Sequence, residues 1–140
     1  MKRFKFSLEK IMQLRKFKEE ECKLALGQAV SILNLIENDI KVTAVKRHNA
    51  ASQRFVNVGD INAWEYYIAR LDQEAEQLTE KAAQAQIVVE EKRALYLEAQ
   101  KDLKAVEKLK EKQQKVHRKE MQNYEITEID NLTAARYNNV

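Results

Sequence analysis

Apolar and small residues recur at three-and-four spacing along the first part of the chain: Cys22, Leu26, Ala29, Leu33, Ile36, Ile40, Ala44, Ala51 and Phe55. An α-helix returns to the same face every 3.6 residues, so the row is one helical stripe about fifty residues long. Ser7, a good N-cap residue, opens it. The stripe breaks at Asn57-Val58-Gly59-Asp60, where glycine can adopt the left-handed conformation that ends a helix and Asp60 or Asn62 can cap the next one. A second stripe follows with a strict seven-residue repeat. Leu71, Leu78, Ala85, Ala99 and Val106 form one row, Ala75, Ala82, Val89, Tyr96 and Leu103 the other, and Trp64 and Ile68 begin it.

Two stripes that fold back on each other should place facing residues symmetrically about the turn. Here Phe55 and Trp64, Ala51 and Ile68, Ile40 and Leu78, Ile36 and Ala82, Leu33 and Ala85, Ala29 and Val89, and Cys22 and Tyr96 all straddle Gly59 in this way. Large residues face small ones at Leu33/Ala85 and Ile36/Ala82, as a narrow interdigitating seam prefers. The pattern therefore predicts an all-α fold, two long helices in an antiparallel coiled-coil hairpin with the second helix longer. Residues 1–140 form a single hairpin in this reading, with helix 1 over about 7–57, a turn at about 58–61 and helix 2 over about 62–135. One weak layer is expected where Gly27 lies near Lys92: the lysine snorkels, and the glycine costs about 1 kcal/mol of helix propensity.

The arms are unequal. On this register Met1 sits opposite residue 117, which leaves Arg118 to Val140 without an intrachain partner. Met121, Tyr124, Ile126, Ile129, Leu132 and Ala135 keep a helical pattern there, while Tyr137-Asn138-Asn139-Val140 reads as a frayed tail. At 1.5 Å per residue the second helix would be roughly 100 Å long, a rod whose last part needs a cover from elsewhere.

Composition agrees with this picture: 34% of the 140 residues are charged, there is no proline, and Gly27 and Gly59 are the two glycines. Little here can stop a helix. Cys22 is the single cysteine, so no intrachain disulfide forms, as suits a reducing compartment. The start of the chain carries Lys2, Arg3, Lys5 and Lys10 with no apolar run behind them, and nowhere do 18 consecutive apolar residues occur. A soluble protein with neither signal peptide nor membrane span is expected.

Charge is divided along the hairpin although the net value is only +3. Residues 1–23 hold eight basic and four acidic side chains and residues 101–119 eight and three, an excess of nine positive charges where the N-terminus lies. Residues 60–100 hold four basic and nine acidic side chains, a deficit of five. Lys2, Arg3 and Lys5 near a helix N-terminus oppose the macrodipole, which points to a partner; the plainer alternative is a solvated face of mixed charge.

Chemistry is sparse. There is no glycine-rich phosphate loop, and His48 and His117 would lie over roughly 80 Å apart on such a hairpin, with Cys22 close to neither, so no metal cluster, cofactor site or catalytic centre is expected. His48 reads as a seam-edge or solvated residue and Trp64 as a clasp against Phe55 beside the turn, with partner binding by Trp64 the alternative. For nucleic acid, the positive end offers only Phe4, Phe6 and Phe17 as aromatics and no recognised motif, so no nucleic acid is expected as a partner.

The opening Phe4-Lys5-Phe6-Ser7-Leu8-Glu9-Lys10-Ile11-Met12-Gln13-Leu14-Arg15-Lys16, followed by Glu19-Glu20-Glu21, resembles the start of the FliJ family of flagellar export proteins. The segment Trp64-Glu65-Tyr66-Tyr67-Ile68-Ala69-Arg70-Leu71 is similar to that family's entry into its second helix, and Glu128, Asp130, Ala134 and Arg136 resemble its acidic-then-basic ending. The resemblance implies a non-enzymatic coiled-coil stalk of the flagellar type III export apparatus, held at the cytoplasmic face of the inner membrane through its partners. Such stalks insert the end bearing both termini into the hexameric export ATPase and stimulate it, contact the cytoplasmic domain of the export gate, and escort export chaperones. Carried onto this chain, the resemblance implies ATPase contacts through Arg3, Lys5, Leu8, Arg15, Arg118, Met121, Ile129 and Arg136. It implies gate contacts through Tyr67, Leu71, Glu74 and Leu78, with Glu74 standing where the family has a small apolar residue.

Two other classes share parts of the pattern. A generic structural coiled coil, such as a parallel dimer or an injectisome stalk, would keep the heptads and, if parallel, bring two copies of Cys22 together. A nucleic-acid-binding arm would show binding that falls steeply with salt.

Overall fold

A computed structural model describes residues 3–53 and 58–138. They form two helices, α1 (Glu9–Ala51) and α2 (Val58–Asn138), and no strand among the described residues. The helices pack against each other antiparallel in each of two units, so the expected all-α hairpin with a longer second helix is what the chain adopts. One unit comprises Met1–Glu19 and Glu98–Val140, the other Glu20–Leu97.

In the second unit the core is a seam. Ala29, Leu33 and Val89 are buried, and Leu26, Val30, Ala82 and Ala85 pack against them, so residues of both stripes that the symmetry about Gly59 brings together share one cluster. The α2 rows keep their seven-residue spacing in burial: Leu71, Val89, Ala99 and Val106 are buried, while Ala75, Leu78, Ala82, Ala85, Tyr96 and Leu103 are half-buried. Lys92, in the same row, is half-buried too, with its aliphatic stem able to cover apolar surface.

On α1 three expectations are corrected by the same strict spacing. Thr43 and Ala50 are buried where Ala44 and Ala51 were expected, because Cys22, Ala29, Ile36, Thr43 and Ala50 follow one another at intervals of seven. A threonine sits in the seam at little cost, since no buried side-chain nitrogen or oxygen among the described residues lacks a partner. Gly27 is exposed, off the seam, and Leu26 takes the half-buried position instead.

The helix ends also differ from the sequence reading. Leu8, not Ser7, provides the first carbonyl of α1, accepting a hydrogen bond of 2.9 Å from the Met12 amide. At the other end α1 stops at Ala51 rather than at about residue 57. Ser52 donates from its amide to the Asn49 carbonyl at 3.3 Å and Gln53 to that of Ala50 at 3.2 Å, tightening the last turn. α2 already runs from Val58, so the turn expected at 58–61 is helical. Gly59 makes no left-handed stop, because no described glycine has a positive φ. Asp60 lies in the first turn, where a carboxylate favours the helix dipole. Phe55 and the rest of the connection, residues 54–57, lie outside the described residues. α2 continues through Tyr137 to Asn138, past the end expected at about 135. No helix is long and apolar enough to cross a membrane among the described residues.

Candidate functional site

The unit that holds both ends of the described chain is built on a small cluster. Phe6, Met12 and Val106 are buried together, and Phe4, Leu8 and Leu103 pack on them. Polar contacts fix the same antiparallel pairing: Lys110 donates to Glu9 at 3.1 Å, and Arg15 Nη1 to the Asp102 carbonyl at 3.0 Å. Residues 3–6 precede α1, and a non-helical chain advances about 3.3 Å per residue against 1.5 Å in a helix. Phe4 consequently reaches further along α2 than a helical register allows, and its ring lies 5.4 Å from that of His117.

Between this N-terminal segment and α2 lies an open cleft of about 590 Å³. Phe4, Leu109 and Val116 give it apolar walls, and its rim is mainly basic, with Arg3, Lys5 and Lys112 against a single acid, Glu120. Arg3 and Lys5 thus share one surface with the 109–120 stretch of α2, as their place in the positively charged end requires. The sequence reading missed Leu109, Lys112, Val116 and His117 as surface residues. The signal that could have found them was the non-helical Phe4-Lys5-Phe6 start, which shifts the pairing.

The other residues singled out for the ATPase contact are placed differently. Leu8 is half-buried on the small core, and Arg15 is engaged with α2, so both hold the unit together as well as bordering its surface. Arg118 is exposed and Met121 half-buried. Beyond Met121 every residue from Gln122 to Asn138 is exposed, including Ile129, Arg136, Tyr124, Ile126 and Leu132. Tyr124 donates to Glu128 at 3.2 Å, and that hydrogen bond holds its phenol above the usual tyrosine range.

In the second unit the set expected for the gate contact splits. Leu71 is 3% exposed and Leu78 half-buried, so both belong to the intramolecular seam, and Leu71 presents almost no surface. Tyr67, 40% exposed, and Glu74 remain on the surface. Trp64 is half-buried and donates its indole N–H to the Ala50 carbonyl at 2.5 Å, clasping the end of α1. Arg47 and Asp72 pair across the seam edge at 2.6 Å, both well exposed. His48 is exposed. No cluster of three metal-binding side chains occurs among the described residues.

No curated protein and no solved structure matches the chain. The profile of one family, described as flagellar FliJ protein, matches residues 4–140. That span takes in both helices, the small core at Phe6 and the exposed end of α2. The chain belongs to the FliJ family of flagellar proteins.

Proposed function

We propose that the protein is a non-enzymatic stalk and escort of the flagellar type III export apparatus, acting as one coiled-coil hairpin over residues 1–140. Its place in this reading is the cytoplasmic face of the inner membrane, where partners rather than a membrane span would hold it. In this reading it binds and stimulates the hexameric export ATPase, contacts the cytoplasmic domain of the export gate and escorts export chaperones. Family membership supports the export role. One observation carries the ATPase contact: α2 continues helical from Gln122 to Asn138 with every side chain exposed, including Ile126, Ile129 and Leu132.

A helix of that length does not stand alone in water on propensity, so a partner surface is its natural complement. The same unit carries Arg3, Lys5, Lys112 and Arg118 on its surface, and positive charge of this density would draw it toward an acidic ring interior. For the gate, Tyr67 and Glu74 supply the exposed part of the proposed face, and Leu71 and Leu78 support them from beneath.

The test is ATP hydrolysis by the cognate export ATPase with added variants. Arg3→Glu, Lys5→Glu and Arg118→Glu together should weaken stimulation, more so at low salt, since exposed charges are screened over about 10 Å at 0.1 M. Arg15 is left intact because it also holds α1 to α2. Tyr67→Ala should leave stimulation unchanged and weaken binding to the gate domain. Full stimulation by the charge-reversed chain, with loss on Tyr67→Ala, would reverse the proposed orientation.

A further inference from the structure

The cleft beside Phe4 and the exposed end of α2 belong to one unit, and their charges are opposite. The α2 wall of the cleft carries Leu109, Gln113, Val116 and Glu120, spaced four, three and four residues apart. Asn123, Thr127, Asp130 and Ala134 continue the same spacing into the exposed end, so that all eight form one stripe within about 60° of Leu109 around the helix. Along this stripe the charge changes sign. Residues 101–119 hold eight basic and three acidic side chains, whereas residues 122–138 hold one basic, Arg136, and three acidic, Glu125, Glu128 and Asp130.

We propose that two copies pair through this stripe, α2 against α2 and antiparallel, about a two-fold axis beside Met121 and Gln122, so that the end of each α2 fills the cleft of the other. Charge selects both the occupant and the direction. The basic cleft calls for an acidic segment, the chain carries one of matching length, and an antiparallel pair lays residues 123–134 of one copy along the 109–120 wall of the other. A parallel pair would set base on base and acid on acid. The end of α2 cannot reach the cleft of its own chain, because it runs straight on from the cleft wall in one continuous helix.

Every layer of the stripe closes in this register. Leu109 meets Ala134 of the second copy and Val116 meets Thr127, large on small. The Thr127 hydroxyl already donates to the Asn123 carbonyl at 2.9 Å, which leaves its methyl for the contact. Gln113 meets Asp130 and Glu120 meets Asn123, so each polar layer joins an amide donor to a carboxylate acceptor, and no layer sets like charges against each other. At the rim, Lys112 flanks Asp130 of the second copy. Tyr124, on the same side of α2 as His117, comes within about half a turn of that residue and of the Phe4 ring beside it. The paired length is roughly 38 Å, with half its layers polar, which makes a weak, salt-sensitive pairing of fixed register. Exposed Ile126, Ile129 and Leu132 lie on the other side of α2 and stay free, so the pairing goes beyond the ATPase reading and does not depend on it.

The experiment uses the full chain with Cys22→Ser as background and needs no ATPase. Sedimentation velocity from low to high micromolar concentration should show a monomer–dimer equilibrium that moves toward monomer as salt is raised. Asp130→Lys sets a lysine beside Lys112 of the other copy and should weaken the dimer several-fold. Adding Lys112→Glu restores opposite charges and should recover most of that loss, while the far-UV spectrum stays helical throughout because both sites are exposed. Val116→Cys mixed with Thr127→Cys should form the mixed disulfide several-fold faster than either links to itself. A chain that stays monomeric over the whole range overturns the proposal, as does a dimer that Asp130→Lys leaves intact or that the charge swap does not recover. Rapid self-linking of Val116→Cys would show parallel pairing and overturn it as well.

Discussion

Leu33 and Leu35 are two residues apart on α1, yet the first is 8% exposed in the seam and the second 65% exposed on the opposite face. Leu33→Ala removes three carbons from the seam, worth about 2.4 kcal/mol of transfer free energy at roughly 0.8 kcal/mol each. Three residues of its cluster, Ala29, Ala82 and Ala85, are too short to close the gap, which leaves only Leu26, Val30 and Val89 to shift toward it. A seam between only two helices lets water enter, however, so little of the extra penalty for an empty cavity is added. The net cost should be about 2 to 3 kcal/mol, near the low end for a leucine-to-alanine change in a core. Leu35→Ala touches nothing buried in the monomer and should stay within about 0.5 kcal/mol. The assay is urea unfolding followed by far-UV circular dichroism, at a concentration low enough to keep copies apart. A Leu33→Ala cost below about 0.5 kcal/mol, or equal costs at the two positions, would refute the seam assignment.

Gly27→Ala should stabilise the monomer by about 0.5 to 1 kcal/mol, because alanine is the better helix former and the added methyl meets open space; lower stability in thermal unfolding would show a hidden contact. Arg47→Ala should leave the unfolding midpoint almost unchanged, and the small difference should vanish at high salt, since both partners of the Asp72 pair are well exposed and screened by solvent. Tyr124 should titrate above its ordinary range in the folded chain, and Glu128→Gln should lower it by removing the carboxylate acceptor. Its neutral phenol is the form favoured by folding, so that contribution is present at neutral pH and fades as pH rises through the folded-state value; carbon NMR of the tyrosine rings measures it. Trp64→Phe keeps an aromatic body but loses the donor to the Ala50 carbonyl, and should loosen the α1 end, read as faster amide exchange at Ser52 and Gln53.

Much of the fold was legible because a long helix translates spacing directly into a face. The seven-residue rows of α2 and the symmetry about Gly59 led to the pairing of Ala29, Leu33, Ala85 and Val89 without knowledge of any contact. The errors came where polarity was weighed above spacing. Thr43 was passed over for Ala44, although the interval of seven from Ile36 chose it, and Gly27 was read into the seam because it stood near Lys92. Gly59 was taken as a stop on residue type alone, whereas a glycine is also tolerated in the first turn of a helix. Leu71 was read both as a seam residue and as part of the gate contact; at 3% exposure it belongs to the seam, and in the proposed gate face it acts from beneath Tyr67 and Glu74. The cleft beside Phe4 was not legible because it depends on a short non-helical segment, which has no periodicity to read. The exposed end of α2 was foreseen from the unequal arms, since that needed only lengths.

The most direct test of the stalk reading is ATP hydrolysis by the export ATPase in the presence of the full chain and of a chain ending after Glu120. The buried cluster of Phe6, Met12 and Val106, with the Glu9–Lys110 and Arg15–Asp102 contacts, lies wholly before that cut, so the shortened chain should keep its helical spectrum and its folded base. Full-length protein should stimulate the ATPase, and the shortened chain should lose most of that stimulation because the exposed helix from Gln122 to Asn138 is gone. Equal stimulation by the two chains would contradict the assignment of that helix to the ring, and no stimulation by either would contradict the stalk itself.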